Sequence, residues 1–353
     1  MADTPDIALV SLATTPGLRR ADDAFVRLAR DAGLTCQVVP VEIGRSGAMR
    51  RQTTMTDIVE ARAARNAASG VKAKVIVYST VTAALMQKPS GPYAVRFDSP
   101  AAGNRSGAGG MWQRRREAKM LAGARALLPW GHAALHAIPE EARNVPAVPL
   151  PVSVEVGVER ARTASIAGTQ ERDIDAIAYA GYPEKRGLDI LIKAWVTGGF
   201  AGLRRLRITG IERDRAVAWL RRQKIDEPPG IEWSGLLDPG QFRFTLGRAK
   251  LFVNASRRED HGLSQLEALA AGAALVTVSS EGPYEALPLA TKLDHRLVAP
   301  SIAPDSLALA LRFGFQVDLD DYAQRAREEL APYRPDAVRK TFEEQVLPAL
   351  GLR

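Results

Sequence analysis

Glu259 and Glu267, with seven residues between them, are the pair in this sequence best spaced to act together. They lie in the run Leu251-Phe-Val-Asn-Ala-Ser-Arg-Arg-Glu-Asp-His-Gly-Leu-Ser-Gln-Leu-Glu-Ala-Leu-Ala-Ala-Gly272. Its apolar start reads as a strand, the polar stretch to Gly262 as a loop, and Leu263 to Ala271 as a helix. Glu259 then sits in the loop and Glu267 one turn into the helix. The first N–H groups of a helix have no partner within it and carry the positive end of its dipole. The stretch from Gly262 to Ser264 is therefore a ready anion site. A carboxylate at Glu267 pointing into the same space can accept two hydrogen bonds from a cis-diol such as ribose. Carboxylates near a helix start also suit a plain solvated surface, which the dipole favours equally. The surrounding pattern decides.

That pattern is an alternation of strands and helices. Strands are read at Asp6–Leu12, Cys36–Val41, Ala73–Tyr78, Tyr93–Asp98 and Ala126–Pro129, with Ala147–Leu150 closing the first half. Helical stretches lie between them, at Ala24–Ala29, within 45–70, and from Gly110 to Arg125. Residues Glu155–Arg172 are polar and without period, and read as a linker. The alternation then restarts with strands at Asp175–Ala180, Leu206–Gly210, Gly230–Gly235, Lys250–Asn254 and Ala274–Val278. Helices are read at Leu188–Trp195, Arg213–Lys224, Leu263–Ala271, Asp305–Phe313 and Tyr322–Leu330. Nearly continuous apolar strands imply parallel sheets covered on both faces. The fold class expected is α/β: two Rossmann-like doubly wound domains, 1–155 and 173–335, facing across a cleft. Ligands in such sheets bind beyond the carboxyl ends of the strands. After Pro332 and Pro335, a terminal helix within 337–353 is expected to cross back to the first domain.

The 353 residues are 46% apolar and 25% charged, which excludes global disorder and suits two domains. The single cysteine, Cys36, permits no internal disulfide and no zinc site of its own. No basic run followed by an apolar run opens the chain, and no stretch is long enough to span a bilayer, so a cytoplasmic protein is expected. Net charge is +8, and residues 1–150 hold 20 Lys/Arg against 12 Asp/Glu, the whole of the excess. Such asymmetry suits either an anionic partner or an Arg-rich solvated surface. The helix from Gly110 to Arg125 carries Trp112 and Met111 beside Arg114, Arg115, Arg116 and Lys119. It suits packing on the first sheet, a charged acceptor, or peripheral contact with an anionic membrane. No module for nucleic acid is present.

The run from Asn254-Ala-Ser256 through Glu259-Asp-His-Gly-Leu263 to Leu266-Glu-Ala-Leu-Ala-Ala-Gly272 resembles the retaining glycosyltransferases of the group-one, or family-four, type. These have the two-domain GT-B fold and a Glu-x7-Glu signature. Glu281-Gly-Pro-Tyr-Glu285 continues the family pattern, and Ala180-Gly-Tyr-Pro-Glu-Lys-Arg-Gly187 resembles its phosphate-binding segment. The resemblance covers about 173–300 closely and the first half in topology alone. It implies that Glu259 contacts hydroxyls of the donor sugar, that His261, Gly262 and Leu263 hold sugar or phosphate, and that Glu267 binds ribose. The family's diphosphate-binding Lys corresponds to Arg186, with Lys185 beside it. Tyr182 stands where the family usually has Arg. His261 replaces an aromatic and reads as loop wall.

In the first half the resemblance implies that backbone at Thr15 and Gly17 approaches the phosphates, with Pro16 removing one donor there. The family's cleft-facing His corresponds to Asp98, which would orient or deprotonate an acceptor hydroxyl. An Asp before Ser-Pro also simply forms a turn. The activity implied is transfer of a sugar from a nucleotide-diphosphate donor to a glycan, lipid-linked or small-molecule hydroxyl, in cell-envelope or glycoconjugate synthesis. No metal and no permanently bound cofactor is expected, the nucleotide sugar being a co-substrate. Two alternatives are a non-catalytic subunit keeping a sugar-nucleotide pocket and a nucleotide-sugar 2-epimerase of the same fold. No Gly-x-Gly-x-x-Gly follows either first strand, which disfavours a dinucleotide dehydrogenase.

Overall fold

The structure is a computed structural model that describes residues 4–43, 53–100, 105, 107–156 and 172–353. The chain divides into two compact units, Met1–Ser153 with Pro335–Arg353, and Val154–Arg334.

The first unit is built on strands β1 (Ile7–Ser11), β2 (Cys36–Pro40), β3 (Val75–Tyr78), β4 (Tyr93–Phe97) and β5 (Ala126–Pro129). They form one sheet, parallel at every pairing, in the order β2-β1-β3-β4-β5. The helices are α1 (Pro16–Asp31), α2 (Thr53–Ala68), α3 (Val81–Ala84), α4 (Met111–Ala122) and α5 (His132–Leu135). Side chains alternate across a strand, so β1 serves both faces. Ile7 and Leu9 join Phe25, Val77 and Leu128 on one face, while Ala8 and Val10 join Val95, Leu121 and Leu127 on the other. This double burial is why the strand reads as an unbroken apolar run. Thr15 caps α1 by accepting from Leu18 N–H at 3.2 Å, with Pro16 at the first helical position. That position has no intrahelical partner for an N–H, so Pro16 costs the helix nothing there.

The second unit carries β6 (Ile174–Tyr179), β7 (Leu206–Thr209), β8 (Ile231–Trp233), β9 (Ala249–Asn254), β10 (Ala274–Val278) and β11 (Val298–Ala299). This parallel sheet runs β11-β10-β9-β6-β7-β8. Its helices are α6 (Leu188–Thr197), α7 (Arg213–Arg222), α8 (Pro239–Arg248), α9 (Leu263–Ala270), α10 (Ala286–Asp294), α11 (Pro304–Gly314) and α12 (Leu319–Glu329). The chain runs outward from β6 through β7 to β8, then returns to β6's other side as β9. The strand order therefore reverses between β6 and β9, and a crevice opens at their carboxyl ends.

The last segment consists of α13 (Pro335–Thr341), a π-helical turn Phe342–Val346 and α14 (Leu347–Leu350). Val338, Phe342, Val346, Leu347 and Leu350 complete one apolar face of the first unit, and Phe342 meets Phe25 edge-on at 5.6 Å.

The doubly wound α/β class expected from sequence is what the sheets show. Among the described residues of the second unit, two helices escaped the sequence reading, α8 and α10. The first has a full capping box between Asp238 and Gln241, a signal the sequence did contain. The second has Pro288 in its first turn, where proline is tolerated although it looks like a breaker. Residues 44–52 and 157–171, parts of the expected first-domain helical stretch and of the linker, lie outside the described residues.

Candidate functional site

The β6/β9 crevice draws its side chains from two loops that glycine allows to touch. Gly187 has φ of 62°, and a Cβ there would fall 2.0 Å from the Ala255 carbonyl oxygen. Only a residue without a side chain lets the start of α6 press this close to the end of β9. Arg257 N–H donates to Lys185 C=O at 3.0 Å, so the two loops run bonded side by side.

Arg186 consequently meets Glu259. Its guanidinium bonds Glu259 Oε2 and lies 5.4 Å from the Tyr179 ring centroid. Gln265 Nε2 donates to the same Oε2 at 2.9 Å. Ser256 Oγ stands 3.3 Å from Oε2 but 2.6 Å from Asn254 Oδ1, so its one proton goes to Asn254. Asn254 is itself fixed, donating to Thr277 Oγ1 at 3.1 Å and to Tyr284 Oη at 3.2 Å. The bonds to Glu259 all reach Oε2; among the described residues none reaches Oε1. Glu259, read from the sequence as a loop residue, is only 4% exposed. An ionised carboxylate is tolerable at that depth because Arg186 and Gln265 compensate its lost water. Arg186 Nε is buried as well and finds no hydrogen-bond partner among the described residues. A buried guanidinium donor left over beside a crevice suits an anionic ligand.

The loop from Glu259 to Gly262 is clamped against residues 281–285. Glu259 N–H donates to Glu281 C=O at 2.9 Å, and Glu285 N–H to His261 C=O at 3.0 Å. Gly262 is the N-cap of α9 with φ of 88°, and a Cβ there would lie 2.6 Å from the Tyr284 ring. Glycine offers no side-chain cap, so the leading N–H groups of α9, at Leu263 and Ser264, face out from the helix end. His261 is 4% exposed. Burial pushes its imidazole down to about 4, against the opposing pull of Glu285 and Glu259. It is neutral at pH 7.

The structure thus joins Glu259 and Arg186 in one network and puts His261, Gly262 and Leu263 in the adjoining loop. Lys185 stands next door and pairs with Asp260 at 2.5 Å. Glu267 lies one turn after Leu263, on the half-buried side of α9, away from the face that carries buried Gln265. In the first unit Thr15, Gly17 and Asp98 follow the carboxyl ends of β1 and β4, on one edge of that sheet. Asp98 Oδ1 accepts from Ser99 N–H at 2.8 Å, the turn contact its sequence suggested. Sequence reading missed Gln265 as a partner of Glu259, Ser256 as its 3.3 Å neighbour, and Tyr284 as the seat of Gly262. All three stand inside the recognised motif, but Ser256 and Gln265 approach Glu259 only once the loop curls over the start of α9, and Tyr284 meets Gly262 only once two loops fold together. Among the described residues no group of three His, Cys, Asp or Glu is placed to hold a metal ion.

No curated protein matches the chain's sequence. Solved structures match it along nearly its full length. Sucrose-phosphate synthase from Thermosynechococcus elongatus covers 99% of this chain and 100% of its own, at 14% identity and a TM-score of 0.70. A glycosyltransferase from Rickettsia africae covers 99% of each chain at 12% identity and 0.64. Anabaena HepE, solved in complex with UDP and glucose, covers 98% of this chain and 100% of its own at 13% identity and 0.63. These likenesses and the two parallel sheets define the class: the chain has the GT-B fold. Residues 174–313, within the unit that holds the site, match the family model of glycosyl transferases group 1.

Proposed function

We propose that the protein is a retaining glycosyltransferase that moves a sugar from a nucleoside-diphosphate sugar to an acceptor hydroxyl. The observation that carries this reading is Arg186, a half-buried side chain fixed by Glu259 at the β6/β9 crevice with its buried Nε–H left over. As the bond between the sugar's anomeric carbon and the phosphate oxygen breaks, negative charge grows on the diphosphate. Arg186, Lys185 and the N–H groups opening α9 are the cations and dipoles aimed at that charge. Glu259 holds Arg186 through Oε2 and keeps Oε1 for a donor hydroxyl. Glu267 takes the ribose diol, and Thr15 and Gly17 bring backbone to the phosphates. Asp98 receives or orients the acceptor hydroxyl, which attacks on the face the leaving group vacates. HepE with its UDP and glucose makes UDP-sugars the first donors to try.

The test is turnover with UDP-, GDP-, ADP- and dTDP-sugars, comparing the native chain with Glu259→Ala and Arg186→Ala. Each variant should lose about 10²–10³-fold in kcat, as when one donor aimed at a developing anion is removed. Equal turnover by all three proteins removes both residues from the mechanism. Tight binding without any turnover favours a non-catalytic subunit instead.

We also propose that the first unit meets an anionic membrane surface through α4. Met111 and Trp112 are 44% and 46% exposed, with Arg115 and Lys119 exposed beside them. Arg114 and Arg116 are spent on backbone carbonyls of Gly107, Leu85 and Gln87. Among the described residues no helix is long and apolar enough to cross a membrane. Co-sedimentation with phosphatidylglycerol vesicles, lost in Trp112→Ser with Lys119→Ser, supports this contact; sedimentation unchanged by the pair rules it out.

A further inference from the structure

The chain passes between its two units twice, after Ser153 and after Arg334. On the side of the second unit these passages are tied together, because Val154 N–H donates to Tyr333 C=O at 2.9 Å. Tyr333 is also one of the buried tyrosines of that unit, 7% exposed. Its hydroxyl donates to Glu285 Oε1 at 2.7 Å. Glu285 is 6% exposed, and its N–H holds the His261 carbonyl. The neighbouring Tyr284 seats Gly262, the N-cap of α9.

A continuous line of contacts therefore runs from the chain crossing to the anion-facing end of α9: Tyr333, Glu285, His261, Gly262. A phenol donating to a buried carboxylate is a strong tether, because charge-assisted bonds in a dry interior are shorter and stiffer than neutral ones. Nothing in the proposed transfer chemistry needs either side chain to touch substrate. Packing does not explain them either, since a Phe and an aliphatic residue would fill the same volume without burying a carboxylate.

We propose that Tyr333 and Glu285 are positioning residues that fix the loop Glu259–Gly262, and with it the leading N–H groups of α9, to the point where the chain leaves the second unit. That the loop receives the donor rests on the function proposed above; that Tyr333 orders the loop does not.

Two measurements on the full chain separate these claims. The first is amide hydrogen exchange without ligand on Tyr333→Phe, which removes one oxygen and keeps the ring. Tyr322→Phe is the control, since Tyr322 is also buried and its hydroxyl accepts from Leu275 N–H at 3.3 Å, in another part of the unit. Amides of residues 259–264 and 285 should exchange about tenfold faster in Tyr333→Phe, the loss of one buried hydrogen bond. They should be unchanged in Tyr322→Phe, and β6 and β7 should keep their protection in both. Glu285→Gln, which keeps an acceptor but no charge, should give a smaller change at the same amides. If Tyr333→Phe does not fold, this variant decides. Unchanged exchange in that loop, or a rise spread evenly over the second unit, overturns the proposal. The second measurement uses whichever nucleotide sugar turns over in the panel. Tyr333→Phe should raise its KM several-fold while kcat falls less than twofold, whereas Glu259→Ala loses kcat. Faster loop exchange with an unaltered KM would keep the tether and overturn its link to the donor.

Discussion

His261 shows how one residue can sit in the site yet be set by burial rather than by chemistry. Its folded imidazole titrates near 4, while an unfolded one titrates near 6.5. Between those values the unfolded chain binds a proton that the folded chain refuses. Stability from this group is complete above about pH 6.5 and is lost as pH falls through 4, on the order of 3 kcal/mol in all. Asp6, held down to about 2 by Lys74 and Thr35, gives up its stability only between about 3.8 and 2. The two windows do not overlap. Urea unfolding of the second unit at pH 7, 5.5 and 4.5 should show a fall in stability that His261→Gln flattens. An unchanged slope in that variant would assign the fall to another group. At this scale the sequence was partly legible. Glu259 and Arg186 stood out through their motif, whereas the bond between them required two loops to meet, and the one from Gln265 required the loop to curl back over the start of α9. Arg96 gave no signal at all. It is a charge inside a strand, 2% exposed, paired with Asp22 at 3.2 Å and stacked 4.7 Å from the Phe25 ring.

The elements decide whether those side chains meet, and the decisive contact is the start of α6 against the end of β9. Gly187→Ala asks an alanine to adopt φ of 62° with its Cβ 2.0 Å from a backbone oxygen that cannot rotate away. The loop must retreat, carrying Arg186 off Glu259. Stability should drop by about 1–3 kcal/mol from strain at the left-handed position. Donor turnover should fall together with it. Gly199→Ala is the comparison, at φ of 78° with open space around its Cβ. It should cost the backbone strain and leave turnover intact, as thermal unfolding and initial rates will show. Strands were the most legible elements, because parallel strands buried on both faces leave unbroken apolar runs. The helices that were overlooked carry their signal in single capping or proline positions, which a search for periodicity passes over.

At the scale of the molecule, the two units differ in how the chain makes them. The second is one uninterrupted segment, Val154–Arg334, with a single large apolar core that includes Trp195, Phe252 and Leu275. It holds the whole Arg186–Glu259 network and the Tyr333 tether. Expressed alone, that segment should fold and retain affinity for the nucleoside diphosphate of the productive donor, measured by calorimetry. The first unit is different, since its sheet needs Pro335–Arg353 from the far end of the chain. Removing those residues uncovers the face where Ile7, Leu9 and Phe25 meet Phe342 and Leu347. Burying one large side chain contributes about 1.5–3 kcal/mol, so losing several at once exceeds the stability of an ordinary domain. A chain ending at Arg334 should therefore keep a folded second unit and a first unit that unfolds or aggregates. Limited proteolysis distinguishes the outcomes: cleavage confined to residues 1–153 agrees with this division, and cleavage spread through 154–334 contradicts it.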